Sequence, residues 1–463
     1  MKRSLWAALV AGAVLGASGT AEAQVWLSDR ALAEGRGIRA GNFELHPGIG
    51  AEFGYDSNAF YQSSTFSTGA SRPLTSALRL RITPSFSVAT LGAQRLRNSD
   101  SAASQPTVNF RAGLGLGVHL FFSPDGSSNV SNLNNVDGTA TIRADVFPGR
   151  TWQFSVGNDF QRQIQAGVEV QRSDGVTTSP TRNFNTATLE LGYAPNRGTF
   201  EFRLGYNFIA NIFDSLDIRD TTSTSATARN YSSLNYLSHD ITARVRWRFL
   251  PKTAIVFDAG VTPTNYLNAD SGAAWYTGLF NSTPLRARVG LNGLLTEKIA
   301  LLALVGYQAS FFSQGDDVDT VIGQAELRWI ISDLANFRVG FQRDVQNSFI
   351  GNYVIRNRGY LLYQHSFNRR FLLQLDGSVG YQQYGSPRTG GGALIRATGA
   401  DPVDGSFTST RAEATIFGEY RATEIFGINL SGRVSANITD VALGLNRLDW
   451  TRFEAFLGAR LAW

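Results

Sequence analysis

The feature that most constrains this chain is an alternation of apolar and polar residues with a period of two, recurring from about residue 43 to the last residue. Phe110, Ala112, Leu114, Leu116, Val118 and Leu120 share one parity; Arg111, Gly113, Gly115, Gly117 and His119 share the other. Residues 241–249 set Arg244, Arg246 and Arg248 against Val245, Trp247 and Phe249. Leu78, Leu80 and Ile82 oppose Arg79 and Arg81 in the same way. Side chains of successive strand residues point to opposite faces, so each segment has one greasy and one wet face. Such strands suit either a soluble sandwich or the wall of a membrane barrel.

The connections separate those two folds. The alternation predicts about eighteen strands, an even number as bacterial barrels require. Alternate connections are short: 148–150, 195–198, 251–252, 296–298, 368–370 and 422–424. Most of the others are long and polar, as at 164–183, 213–233, 268–283 and 384–408. Short periplasmic turns alternating with long outer loops are a barrel property that a sandwich has no reason to show. The stretch 90–106 breaks the rule, being long on the short-turn side. The expected fold class is all-β: a transmembrane antiparallel up-and-down β-barrel of about 18 strands.

Aromatic residues mark both ends of the expected strands. Trp152, Tyr193, Phe249, Phe337, Phe371 and Phe426 lie beside the short turns; Tyr55, Phe122, Tyr266, Phe312 and Tyr381 lie toward the long loops. Two belts at headgroup depth follow from amphipathic rings, although strand propensity alone also enriches aromatics. The final strand alternates through Phe453, Ala455, Leu457, Ala459, Leu461 and Trp463. A complete alternation ending on a terminal aromatic resembles the recognition segment that barrel assembly machinery reads. Phe453, Leu457, Leu461 and Trp463 are therefore the expected membrane-insertion signal.

The start of the chain reads as an export signal. Lys2 and Arg3 precede an apolar run from Leu5 to Leu15, and Ala21-Glu22-Ala23 offers a cleavage site. The expected organisation is a signal peptide over 1–23, a periplasmic segment over 24–42 and a transmembrane barrel over 43–463. The chain has no cysteine, so disulfides and thiolate metal sites are excluded. Beyond the signal no apolar run reaches the ~18 residues of a spanning helix. These features point to the Gram-negative outer membrane, with its lipid and lipopolysaccharide as surroundings and no nucleic acid as partner.

The net charge is +5, and lysine occurs only at Lys2, Lys252 and Lys298, so arginine supplies nearly all the positive charge. A GC-rich genome accounts for that bias as readily as a function does. By parity, Arg79, Arg81, Arg111, Arg143, Arg203, Arg244, Arg246, Arg248, Arg286, Arg288, Arg328, Arg338, Arg411, Arg433, Arg452 and Arg460 face inward. Fewer acids share that face: Glu44, Glu52, Asp145, Glu190, Glu201, Glu326, Glu413, Glu419 and Glu454. A wall of this kind either attracts anionic solutes or pairs its charges across strands and stiffens the barrel. The run Arg244, Arg246, Arg248 has too few of these acids nearby to be fully paired, which keeps the first reading open. Inward Phe417 and Phe456 are candidate stacking platforms for sugar rings.

Enzymatic chemistry has little support. His46, His119, His239 and His365 lie in four distant strands, and no spacing motif joins them to a nucleophile. Asp316, Asp317 and Asp319 lack the spacing of a calcium loop and read as a solvated acidic tip. No catalytic residue, cofactor or metal is expected.

The first strand runs through Pro47 to Gly54-Tyr55-Asp56-Ser57-Asn58-Ala59-Phe60. This pattern resembles the start of a family of bacterial β-barrel porins found in exopolysaccharide loci and abundant in myxobacteria. Within it the chain is similar to porins of Wzx/Wzy-dependent polysaccharide secretion. The resemblance implies a barrel of about this size working with a periplasmic polysaccharide export protein, and a polysaccharide cargo. The expected function is then a passive conduit for polysaccharide export across the outer membrane. A general diffusion porin for small, preferably anionic solutes is the alternative, and a plugged surface receptor or scaffold is a third.

Overall fold

The computed structural model describes residues 37–91, 107–124, 128–164, 181–195, 198–214, 234–267, 280–348, 351–368, 370–386, 405–443 and 446–463, with a few short stretches between. The expected signal peptide lies outside them, as does most of the segment 24–42.

The described chain is a closed antiparallel barrel of 18 strands. In chain order they are β1 (Phe43–Asp56), β2 (Ala77–Thr90), β3 (Val108–Phe122), β4 (Asn135–Val146), β5 (Trp152–Ile164) and β6 (Thr181–Tyr193). Next come β7 (Phe200–Phe213), β8 (Tyr236–Leu250), β9 (Thr253–Val261 and Thr264–Tyr266), β10 (Ser282–Leu294), β11 (Ile299–Phe312) and β12 (Val318–Ser332). The last six are β13 (Ala335–Asn347), β14 (Tyr353–Phe367), β15 (Phe371–Tyr384), β16 (Phe407–Arg421), β17 (Phe426–Ile438) and β18 (Trp450–Ala462). Each pairs with its neighbours in sequence, and β1 closes on β18 from Gly48↔Ala462 to Asp56↔Glu454.

Closure is a requirement of the solvent. In hydrocarbon no water satisfies a free backbone N–H or C=O, so a sheet that crosses a membrane can have no open edge. Below Gly48, where β18 ends, the short strand Ile38–Ala40 pairs with Phe43–Leu45 and covers that part of β1. The tight turn between them needs Gly41 at φ +62, a conformation that costs glycine little.

Parity holds through the wall. Outward residues are apolar and well exposed: Phe53 51%, Leu189 51%, Val305 58%, Val379 58% and Leu457 61%. Phe453 and Trp463 are exposed on the same face, and the Trp463 N–H bonds the Pro47 carbonyl across the closure (3.0 Å). Interface aromatics follow the expectation at Trp152, Phe249, Phe371, Tyr55, Phe122 and Tyr381, all exposed. Trp152 packs on Tyr193 at 4.6 Å. Two of the expected belt residues do not follow it. Tyr266 is buried, and Phe312 packs against an interior cluster of Val318, Ile322 and Val345. Both lie on the inward parity of their strands.

Two further departures have local causes. One continuous strand over 253–267 is expected, but β9 breaks at Thr262 and Pro263, because proline has no N–H to give the ladder. The long connection on the short-turn side is real: β2 ends at Thr90 and β3 begins at Val108.

Placing a charge on the lipid face tests this orientation. Val305→Arg, at mid-height on β11, should destabilise the barrel by about 2–4 kcal/mol in urea unfolding from phospholipid bilayers. The inward Gln161→Arg should stay within about 1 kcal/mol of the parent.

Candidate functional site

The interior wall is the candidate site, and its arginines are organised by acids on the same strand, the next strand or the next but one. At the seam where the barrel closes, Glu454 of β18 holds Arg79 (2.6 Å), Arg452 (2.8 Å) and Arg433 (3.7 Å). Asp56 of β1 pairs with Arg79 (3.3 Å) and with Arg452. Arg433 continues to Glu413 (2.8 Å), and Arg81 pairs with Glu52 (3.0 Å). Arg79 and Arg81 lie against the Phe456 ring, 5.3 and 4.7 Å from its centroid.

The corner above this seam is built by the Gly-Tyr-Asp-Ser-Asn-x-Phe stretch. A side chain at Gly54 would meet the Ala455 carbonyl and the Phe456 ring, so β1 and β18 approach there only without one. Asp56 and Asn58 are completely buried. Ser57 exchanges bonds with Phe453: its N–H donates to the Phe453 carbonyl (2.9 Å), and its hydroxyl accepts from the Phe453 N–H (2.8 Å). Asn58 donates to the carbonyls of Gln62 (2.8 Å) and Thr451 (3.0 Å). Phe60 completes a buried cluster with Ala59, Ala77, Phe121, Val130 and Leu133. The loop residue Tyr61 takes φ 51 and lies under Arg452, with its edge on Trp450.

Elsewhere the same pattern recurs. Asp258 of β9 binds Arg288 (2.6 Å) and Arg244 (3.3 Å), and Asp240 of β8 binds Arg286 (3.3 Å). Glu190 pairs with Arg203 (2.6 Å), and Glu201 bridges Arg203 and Arg246. Glu326 takes Arg338 (3.4 Å) and the Tyr360 hydroxyl (2.7 Å). Glu419 holds Arg460 (2.6 Å) and Arg421 (3.3 Å), and Arg143 pairs with Asp145 (3.0 Å).

The structure therefore corrects the expectation that Arg244, Arg246 and Arg248 lack acids. Arg244 and Arg246 are both paired. Asp258 and Asp240 lie on the inward parity of their strands, but only the strand register places them beside their arginines. Asp56, which the acids expected inward did not include, is the last residue of β1. Among the described residues, no carboxylate lies within ion-pair distance of Arg111, Arg248, Arg328 or Arg411. Arg111 and Arg248 are exposed, and Arg411 lies 5.6 Å over the Trp450 ring. Phe417 and Phe456 are only 9% and 5% exposed, so side-chain packing already covers both rings.

The histidines do not converge. His119 pairs with Asp137 (2.8 Å) on the inward face, and His46 lies 3.6 Å from Glu44. His239 bonds the Tyr206 hydroxyl, and His365 stacks on Phe367 at 3.9 Å. The last two lie on the outward face.

An edgeless sheet, apolar outside and charged inside, defines an integral β-barrel of the outer membrane, in the class of porins. The family model described as "Putative beta-barrel porin 2" matches residues 31–399, and the chain belongs to that family. No curated protein matches it. Among solved structures it is similar to the outer membrane protein OpdK of Pseudomonas aeruginosa: 10% identity, 90% of this chain, 98% of that chain, TM-score 0.43. It is similar to OccAB4 of Acinetobacter baumannii at 10% identity, covering 91% of this chain and 98% of that one, with TM-score 0.45. The FrpB iron transporter of Neisseria meningitidis gives 9% identity, 92% and 83% coverage, and TM-score 0.43.

Breaking a buried network should cost far more than deleting a free cation. Glu454→Gln leaves Arg79, Arg452 and Arg433 short of charge and should lower unfolding stability by about 3–5 kcal/mol. Arg248→Gln, at an exposed position, should change it by less than about 1 kcal/mol in the same urea titration.

Proposed function

We propose that the barrel is a diffusion channel for small solutes with a mild preference for anions. The observation that carries this reading is the pairing of the interior arginines. A conduit for an acidic polymer needs a long run of unneutralised cations or open aromatic faces that the chain can follow in many weak steps. Here most inward arginines are neutralised by a neighbour, and Phe417 and Phe456 are packed away. The small-solute reading is thus better supported than polysaccharide export.

The anion preference rests on the arginines without a carboxylate partner. Arg111 and Arg248 lie toward the periplasmic ends of β3 and β8, Arg328 in the periplasmic half of β12, and Arg411 near the outer end of β16. Sparse fixed charges in a water-filled lumen bias entry through the local potential, and salt screens that bias within about 8–10 Å. Selectivity should therefore be modest and should fade as salt rises.

Planar-bilayer recording tests the proposal. The purified barrel should give steady ohmic steps, with a reversal potential favouring chloride over potassium in a salt gradient. Arg328→Glu combined with Arg411→Glu should move that potential toward cation selectivity by a measurable margin. A barrel that conducts without any response to these charges would remove the basis for anion preference.

A further inference from the structure

The wall is not continuous at its outer end. The β12–β13 ladder stops at Gly323↔Arg343. Above that point Val318–Ile322 pairs only with β11, and Asp344–Asn347 pairs only with β14. The two hairpins part, and the β13–β14 tip leaves the plane of the wall.

The side-chain contacts give the direction in which it leaves. Val345 has the outward parity of Val339 and Phe341, which are exposed to lipid at 44% and 49%. Yet Val345 is buried against Val318 and Ile322, which are on the inward face of β12. Its carbonyl accepts a hydrogen bond from Gln308 Nε2 (3.1 Å), an inward residue of β11. Asn347 donates to the hydroxyl of Ser282 (3.2 Å), inward on β10, and Asn352 donates to the Gln314 carbonyl (3.1 Å). The tip is folded into the barrel and lies across the inner faces of β10, β11 and β12.

The fork is sealed and the tip is braced. Arg343 spans the split, donating to the Val321 carbonyl (3.0 Å), the Thr320 hydroxyl (2.9 Å) and Asn357 Oδ1 (2.6 Å). This satisfies a carbonyl that the parted ladder leaves free. On the tip itself Asp344 takes Arg356 through two nitrogens (3.1 and 2.8 Å) and Gln346 (2.8 Å). A short hairpin held by a bidentate pair enters the lumen as a preformed unit rather than as a loose loop.

We infer that this infolded β13–β14 tip sets the size limit of the channel, excluding solutes that a bare barrel of this strand number admits. The inference rests on the channel reading above. About eighteen strands enclose a water-filled lumen unless something enters it, and the tip enters it.

The test compares three forms of the full-length protein in bilayers and in liposome swelling with sugars of graded size. In the first form, residues 345–355 are replaced by an Asn-Gly turn between Asp344 and Arg356, a turn suited to a two-residue hairpin. In the second, Ile322→Cys with Val345→Cys, the only cysteines in the chain, lock the tip inward by a disulfide that reductant releases. The third is the parent.

The trimmed form should conduct at least about two-fold more than the parent and admit larger sugars. The locked form should match the parent in conductance and size limit, before and after reduction. Equal conductance and equal size limits in parent and trimmed forms would overturn the inference and leave the channel reading standing. No conductance in either form, with folding confirmed by heat-dependent gel mobility, would overturn both.

Discussion

Everything in this molecule follows from the need to satisfy the backbone without water. A sheet that crosses hydrocarbon must bond every N–H and C=O within itself, and only closure does that for strands. The seam between β1 and β18 is therefore the critical joint, and a connected network of ion pairs and hydrogen bonds is gathered there. Gly54 permits the close approach, Ser57 continues the ladder by one more exchange, and Asn58 ties the departing loop to Thr451. Asp56 and Glu454 hold arginines from both sides of the seam. The Gly-Tyr-Asp-Ser-Asn-x-Phe stretch is thus the corner that closes the barrel.

The charges inside the wall have a structural office before any transport role. Taking guanidinium and carboxylate groups out of water is costly, and a buried pair adds little net stability over apolar packing. What such pairs supply is discrimination. A strand shifted by one residue would turn its arginines into the lipid, and a shift of two would part Arg288 from Asp258 or Arg460 from Glu419. The ladders therefore select one register among many that the outward apolar face alone would accept. Among the described residues, the proposed anion preference therefore rests on the few arginines left without a carboxylate.

Much of the fold was legible in the sequence because the membrane imposes its rule residue by residue. Period two locates the strands, parity separates the faces, and connection length orients the barrel. About eighteen strands are expected, and the barrel has 18. What failed was whatever depends on the partner strand. The acids that neutralise Arg244, Arg286 and Arg288 come from β8 and β9, and register decides which charges meet. Phe312 and Tyr266 stand near strand ends, where counting from the loops confuses the two faces. Val345 is the clearest case: local alternation sends it to lipid, and the parting of two hairpins turns it inward. The break in β9 at Pro263 was also missed, since one continuous strand over 253–267 was expected.

The central claim is a wall one strand thick, with lipid on one side and an aqueous interior on the other. Because the chain has no native cysteine, single cysteines along β8 from 241 to 248 can each carry a spin label. Label accessibility to oxygen, which concentrates in lipid, and to a water-soluble nickel chelate reads the two environments directly. The account predicts a period of two with opposite phases: oxygen at 241, 243, 245 and 247, the chelate at 242, 244, 246 and 248. A period near 3.6, or chelate access at every position, would contradict it.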